Sequence, residues 1–219
     1  MSAYEGPECA LCRVIACDAA PGTESPPLFC PTLNEPELLA EVEGTYLADE
    51  TLRRIALESA RTEAAGYCVA TRVEETMDFA RRMGWRRLGI AHCVGLMREA
   101  KVARDIFEAH GFEVFTVCCK TGSIDKESVG VKDEEKLRPG QYEVMCNPVG
   151  QAALLARAGT EFNVVMGLCV GHDSLFLMHT KVPATVLVVK DRVLGHNPVA
   201  ALYTNHPYYR RLNEPKTKA

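Results

Sequence analysis

Apolar residues keep a helical period between about residues 47 and 84, and afterwards fall into short runs that alternate with helical stretches. Leu52, Ile55, Ala56 and Ala60, set among strong helix formers, predict a helix over residues 47–65, stopped at Gly66. A second helix is predicted over 72–83, ended by Gly84. Residues 87–92 then read as a strand, 98–110 as a helix closed by Gly111, and 112–118 as a second strand. Strand, helix, strand is a βαβ unit, which demands a parallel sheet with helices packed on its faces. Beyond a polar stretch over 121–141, the pattern predicts a helix over 147–159, a strand over 162–168, a short helix over 173–179, a strand over 184–189 and a last helix opening at Asn197-Pro198. The Asn-Pro pairs at 147–148 and 197–198 mark helix starts, because Asn caps the free N–H groups and Pro at the first helical position gives up an N–H that has no partner there.

The first forty residues differ. Pro7, Pro21, Pro26, Pro27, Pro31 and Pro36 interrupt them, no apolar period is sustained, and they carry Cys9, Cys12, Cys17 and Cys30. The expected layout is therefore a Cys-rich metal-binding segment over 1–40 and an α/β domain over 41–219. Its fold class is α/β, Rossmann-like and three-layered, with a mostly parallel sheet.

Composition narrows the function classes. The 25 Lys+Arg against 29 Asp+Glu provide no global positive field for a phosphate backbone, and no basic run interleaved with aromatics occurs, so nucleic acid is not an expected partner. No apolar stretch approaches the ~20 residues of a bilayer span, and the first residues lack the charged and apolar regions of an export signal. A cytoplasmic protein without a membrane partner is expected. Ten Cys in 219 residues then point to metal binding or thiol chemistry, because cytosolic thiols stay reduced.

Cys9, Cys12, Cys17 and Cys30 form C-x2-C-x4-C-x12-C-P. Two thiols two residues apart can bind one metal centre from a tight turn, and the longer spacers can bring two more round. An iron-sulfur cluster, a zinc ion and free thiols on a leader are all compatible with this spacing. The other set is dispersed. Cys93 follows the first strand, Cys118 and Cys119 end the second, Cys169 follows the third, and Cys146 precedes a helix start, whose partial positive charge favours a thiolate. All lie at the carboxyl edge of the expected sheet, where ligand sites of open α/β folds are found. They predict a shared metal or reactive-thiol site, against the alternative that each is a small core residue. Cys68 is read as structural. Cys119 or Cys169 is the candidate thiol nucleophile and His172 the candidate base, with a small-molecule substrate or redox partner. Gly167 and Gly171 permit a tight turn around Cys169, and Asp173 or Ser174 would cap the short helix there. Lys120 is read as a solvated lysine and Lys190-Asp191-Arg192 most simply as a turn; that turn and His196 are weak candidates. No phosphate-loop, dinucleotide, nucleophile-elbow or zinc-protease motif is present in the sequence.

The leader cysteines, the stretch MCNPVGQAALLARAGTEFNVVMGLCVGHDSLF and the run ATVLVVKDRVLGHNPVAALY together resemble an uncharacterised cysteine-rich family, domain of unknown function eighteen-forty-seven. The resemblance spans essentially the whole chain and implies a metal-binding protein of anaerobic microbes, with Cys9, Cys12, Cys17 and Cys30 as ligands. GLCVGHD is also similar to cluster-binding turns in the Rossmann-like domains of carbon monoxide dehydrogenases and hybrid-cluster proteins. That likeness implies a second iron-sulfur centre held by Cys93, Cys118 or Cys119, Cys146 and Cys169. The expectation is thus a 4Fe-4S centre, or zinc, at the leader, and a Cys-lined pocket for redox or sulfur chemistry. The alternatives are a zinc-stapled protein with a Cys nucleophile and a non-enzymatic metal-binding or interaction module.

Overall fold

Pro31 and Pro36 each stand at the start of a helix, where the missing N–H costs nothing: α1 is Pro31–Asn34 and α2 is Pro36–Ala48. The Asp49 carboxylate then accepts the N–H groups of Thr51 and Leu52 at 2.8 and 3.0 Å, so α3, Glu50–Gly66, starts afresh. The single helix expected from residue 47 is therefore two helices broken at Asp49. The structure, a computed structural model, describes residues 4–20 and 22–214. Two compact units divide between Arg61 and Thr62, while residues 40 and 41 lie inside α2. In the first unit, 3-10 turns at Cys9–Leu11 and Ala16–Asp18 precede α1.

The second unit is the α/β fold. Strands β1 (Arg87–His92), β2 (Glu113–Cys118), β3 (Phe162–Met166) and β4 (Ala184–Val188) form one sheet in the order β2-β1-β3-β4, every pairing parallel. The helices are α4 (Arg72–Met83), α5 (Met97–Ala109), α6 (Pro148–Arg157), α7 (His172–His179) and α8 (Val199–Tyr203). They start and stop where local chemistry dictates. Thr71 and Glu74 cap α4 reciprocally and Gly84, at φ 78°, ends it; the Asn147 side chain accepts the Gly150 N–H at 2.9 Å at the head of α6.

Strand alternation sorts the core into two layers. Leu88, Ile90, Phe162, Val164 and Met166 join Met77 and Ala80 of α4 and Ala100, Ala103 and Phe107 of α5 on one face. Ala91 and Val165 join Ala152 and Leu155 of α6 and Phe176 of α7 on the other. The three-layer Rossmann-like architecture follows. Gly89 sits on this second face because a Cβ there would lie 2.1 Å from Asn163 Oδ1 and 3.0 Å from Leu155. The Asn163 amide is in turn held by the Thr160 and Thr180 hydroxyls at 3.0 and 2.9 Å.

Register places the site. His92 pairs with Cys118 on one side and Met166 on the other, and Met166 pairs with Val188, so the four strands end level. The residues that leave the sheet next are Cys93, Cys119, Gly167 and Val189. The polar stretch after β2 is a loop with turns at Lys126–Val129 and Asp133–Glu135, gathered on the buried Lys136 amine, which donates to Glu127, Asp133 and the Gln141 carbonyl. It returns the chain to the edge of β2, where Asn147 N–H donates to the Cys119 carbonyl at 2.7 Å.

Candidate functional site

Cys93, Cys119, Cys146 and Cys169 line one cavity of about 500 Å3 at the carboxyl edge of the sheet, together with Lys120, Lys190, Arg192 and His196. Each cysteine comes from a different connection: β1 to α5, β2 to its loop, that loop to α6, and β3 to α7. Four thiols distant in sequence, Cys93, Cys119, Cys146 and Cys169, thus come to this one edge. Cys118 is not among them. It is still in β2 and packs, half-buried, with the second-face core, whereas Cys119 is the residue that leaves the strand and turns into the cavity.

Cys119 is the centre of the group and only 1% exposed. Its sulfur stands 3.7 Å from that of Cys146 in a thiol–thiol hydrogen bond, accepts the Val94 N–H at 3.3 Å, and also bonds the Cys93 side chain. Cys93 Sγ accepts the Gly95 N–H at 3.4 Å and pairs with Lys190. Cys169 Sγ accepts from the Arg192 guanidinium at 2.9 Å. Three of the four thiols thus have a cation of their own: Cys93 has Lys190, Cys169 has Arg192, and Cys146 lies in the field of Lys120 and His172. Cys119 has none.

The ionisation follows from this arrangement. Hydrogen bonding from Cys119 brings the Cys146 thiol down to about 5; burial and the Cys93 charge oppose this, and Lys120 and His172 assist it. At Cys93 a second contact with Cys119, together with Gly95 N–H and Lys190, overcomes burial to bring the thiol down to about 4. Cys119 is raised, by its bonds to Cys146 and Cys93 and by burial, so the proton of the trio rests on the inner sulfur. Arg192 is raised by its bond to Cys169.

His172, the expected base, heads α7, and its backbone N–H donates to the Cys169 carbonyl at 2.9 Å. Its ring does not line the cavity, and Nδ1 is buried with no hydrogen-bond partner among the described residues. Neither Asp173 nor Ser174 caps α7; Gly171, at φ 85°, occupies that position, and Asp173 accepts from Ser174 N–H. Gly167, at φ 62°, makes the turn after β3; a Cβ there would lie 2.1 Å from Leu96 Cδ1. His196, also at positive φ, accepts the Asp191 N–H on Nδ1 at 3.1 Å, which locks the turn that carries Lys190 and Arg192. Cys68 is exposed and away from the cavity, in a left-handed conformation.

The sequence ranks Lys190 and Arg192 only as weak candidates in a turn, whereas both line the cavity. The signal was present: they follow β4, the fourth strand to end at the same edge, and strand-end logic applies to cations as it does to thiols.

Among the described residues no three His, Cys, Asp or Glu side chains stand together as a metal-holding group. A four-iron cluster carries each cysteine sulfur on its own iron, and such ligands do not touch as Cys119 and Cys146 do. The crevice in this arrangement does not fit that cluster. In the first unit Cys9 and Cys17 are exposed and Cys12 and Cys30 half-buried. There the 3-10 turn closes Cys12 N–H onto the Cys9 carbonyl at 3.0 Å, and Ile15 N–H donates to Cys12 Sγ at 3.3 Å. Among the described residues no helix is long and apolar enough to cross a membrane.

Two comparisons bear on these residues. The family described as "Protein of unknown function (DUF1847)" matches residues 30–187, a span that holds all four crevice cysteines and stops short of Lys190 and Arg192. An uncharacterized protein of Methanocaldococcus jannaschii is 46% identical over 171 residues, covering 78% of this chain and 86% of that protein.

Proposed function

We propose, for a chain that belongs to the DUF1847 family of proteins of unknown function, that the crevice is a dithiol centre for redox or sulfur chemistry, with Cys146 the attacking thiol and Cys119 the resolving one. The observation that carries this reading is the 3.7 Å contact between the two sulfurs in a cavity wall, with their backbones already joined through Asn147 N–H and the Cys119 carbonyl. A disulfide bond is about 2.05 Å long and asks for neighbouring backbones, so closure is a side-chain movement. Cys146 is half-buried and Cys119 buried, which divides the roles: the outer sulfur meets a substrate and the inner one meets its neighbours in the crevice wall, Cys146 and Cys93. A reducing compartment, the cytoplasm, belongs to this reading, as does a redox partner that restores the dithiol.

Stepwise oxidation in thiol–disulfide buffers, followed by blocking and peptide mapping, tests the proposal. A Cys119–Cys146 disulfide that forms before any other supports it. First formation of any other bridge, or none under oxidising poise, overturns it.

A second reading applies to the leader. We propose Cys9, Cys12, Cys17 and Cys30 as ligands of a metal centre, iron-sulfur or zinc, because the closed Cys9–Cys12 turn and the Ile15 N–H on Cys12 Sγ pre-form a thiolate-binding loop. A bound metal there would supply the ordering that this proline-rich segment cannot gain from a core. Anaerobic metal and acid-labile sulfide analysis of wild type and Cys9→Ala/Cys12→Ala tests it: metal lost in the variant supports the reading, and metal absent from both refutes it.

A further inference from the structure

Three cations line the crevice: Lys120, Lys190 and Arg192. None of them takes part in the ion pairs to carboxylates found among the described residues. Among the described residues Asp191 is the one carboxylate lining the cavity, and its Oδ1 accepts the Val193 and Leu194 N–H groups at 2.9 and 2.8 Å. Lys120 is also engaged, with Nζ donating to the Val144 carbonyl at 2.5 Å. Lys190 and Arg192 are different, because their partners here are sulfur atoms, Cys93 and Cys169. A guanidinium has five N–H donors and an ammonium three, so one sulfur leaves most of each group's hydrogen-bonding capacity unused. Both cations are carried on one turn after β4, and that turn is held by the His196 ring. The result is a dithiol flanked by two cations, each of which meets one sulfur and keeps further N–H donors free for a ligand.

We infer that the substrate of the dithiol is a small anionic disulfide, one whose carboxylate or sulfonate groups are taken by Lys190 and Arg192 while its sulfur–sulfur bond meets Cys146. This rests on the dithiol reading above and names its substrate class. The Cys146 thiolate attacks one sulfur of the substrate; the S–S bond breaks, and the other sulfur leaves as a thiolate with the electron pair. Cys119 then gives its proton to solvent and attacks the Cys146 sulfur, and the second half of the substrate leaves as a thiolate. The protein dithiol has lost two electrons and become the Cys119–Cys146 disulfide, and the substrate disulfide has gained them as two thiols. Cys169 acts as a positioning residue, because its sulfur holds the Arg192 guanidinium over the cavity.

The test compares two disulfide probes of opposite charge on the full-length reduced protein: 5,5′-dithiobis(2-nitrobenzoate), a dianion, and cystamine, a dication. The rate of Cys146 modification is followed by quenched-flow and peptide mapping in wild type, Lys190→Met, Arg192→Met and the control Lys101→Met on the exposed face of α5. The readout is the ratio of the two rates, in which the thiolate fraction of Cys146 cancels. The expected ratio, after correction for the probes' rates with a free thiol, is about tenfold in favour of the anion at low salt, falling toward one as salt is added. It should fall several-fold in each of the two site variants and not in Lys101→Met. A corrected ratio near one, or a ratio unmoved by both site variants, overturns the inference and leaves the dithiol reading intact. Absence of a Cys119–Cys146 disulfide after either probe overturns the dithiol reading and the inference with it. The salt dependence in wild type keeps the test valid should either variant fail to fold.

Discussion

The carbonyl of Cys119 accepts the N–H of Asn147 at 2.7 Å, and this bond is what brings Cys146 beside Cys119 although twenty-seven positions separate them. Asn147 does three jobs at once, since its side chain also accepts Gly150 N–H at 2.9 Å and donates to the Thr121 carbonyl at 3.1 Å. Asn147→Ala should therefore lower stability by about 1 kcal/mol through the lost cap, and slow Cys119–Cys146 closure at a fixed oxidant concentration. Urea denaturation and timed thiol blocking measure the two effects separately.

The reactivity of Cys146 should be governed by pH in the acid range. Only the thiolate attacks, so its alkylation rate should rise with pH, reach half its plateau at about 5, and stay flat through neutrality, where an ordinary thiol near 8.5 would still be climbing. In Cys119→Ala the midpoint should move upward, because that variant removes the Cys119 bond, the largest contribution to the depression. A pH–rate profile with iodoacetamide, resolved by peptide mapping, checks both statements.

Single cysteine replacements should separate the two roles. With a disulfide probe, Cys119→Ser should accumulate a stable mixed disulfide on Cys146, since the sulfur that would resolve it is gone. Cys146→Ser should show no fast phase at this site, as Cys119 is buried. Intact-mass measurement of the quenched proteins distinguishes the adduct from an internal bridge.

At the sheet, Gly89→Ala should cost about 2–3 kcal/mol, because the added Cβ meets the Asn163 carbonyl oxygen and two Leu155 methyl groups in a layer with no room to give. The loss should appear in the urea midpoint without a change in slope.

Much of the fold was legible because the signals are local. The switch from helical period to short apolar runs located β1 to β4, and Gly84 and Asn147-Pro148 fixed helix ends by backbone chemistry alone. The helix over 36–48 was not read, although Pro36 at its first position was the available sign, and the break at Asp49 was hidden inside one continuous apolar period. At the site, the idea that strand-end thiols share a crevice needed only the parallel order. Choosing Cys119 over Cys118 needed the residue at which β2 ends, since one step along the chain reverses the side chain's direction. Lys190 and Arg192 looked like turn residues because they are turn residues, and only the level ends of β3 and β4 bring that turn to the thiols.

The loop gathered on Lys136 has a further significance once its two ends are seen to be Cys119 and Cys146. Joining those sulfurs would turn an open excursion into a covalent ring of about 28 residues and remove roughly 3–4 kcal/mol of chain entropy from the unfolded state. Electron count and heat resistance would then be one property: a cell that drains its thiol pool would find this protein harder to melt and harder to digest, and would recover the softer form by reduction.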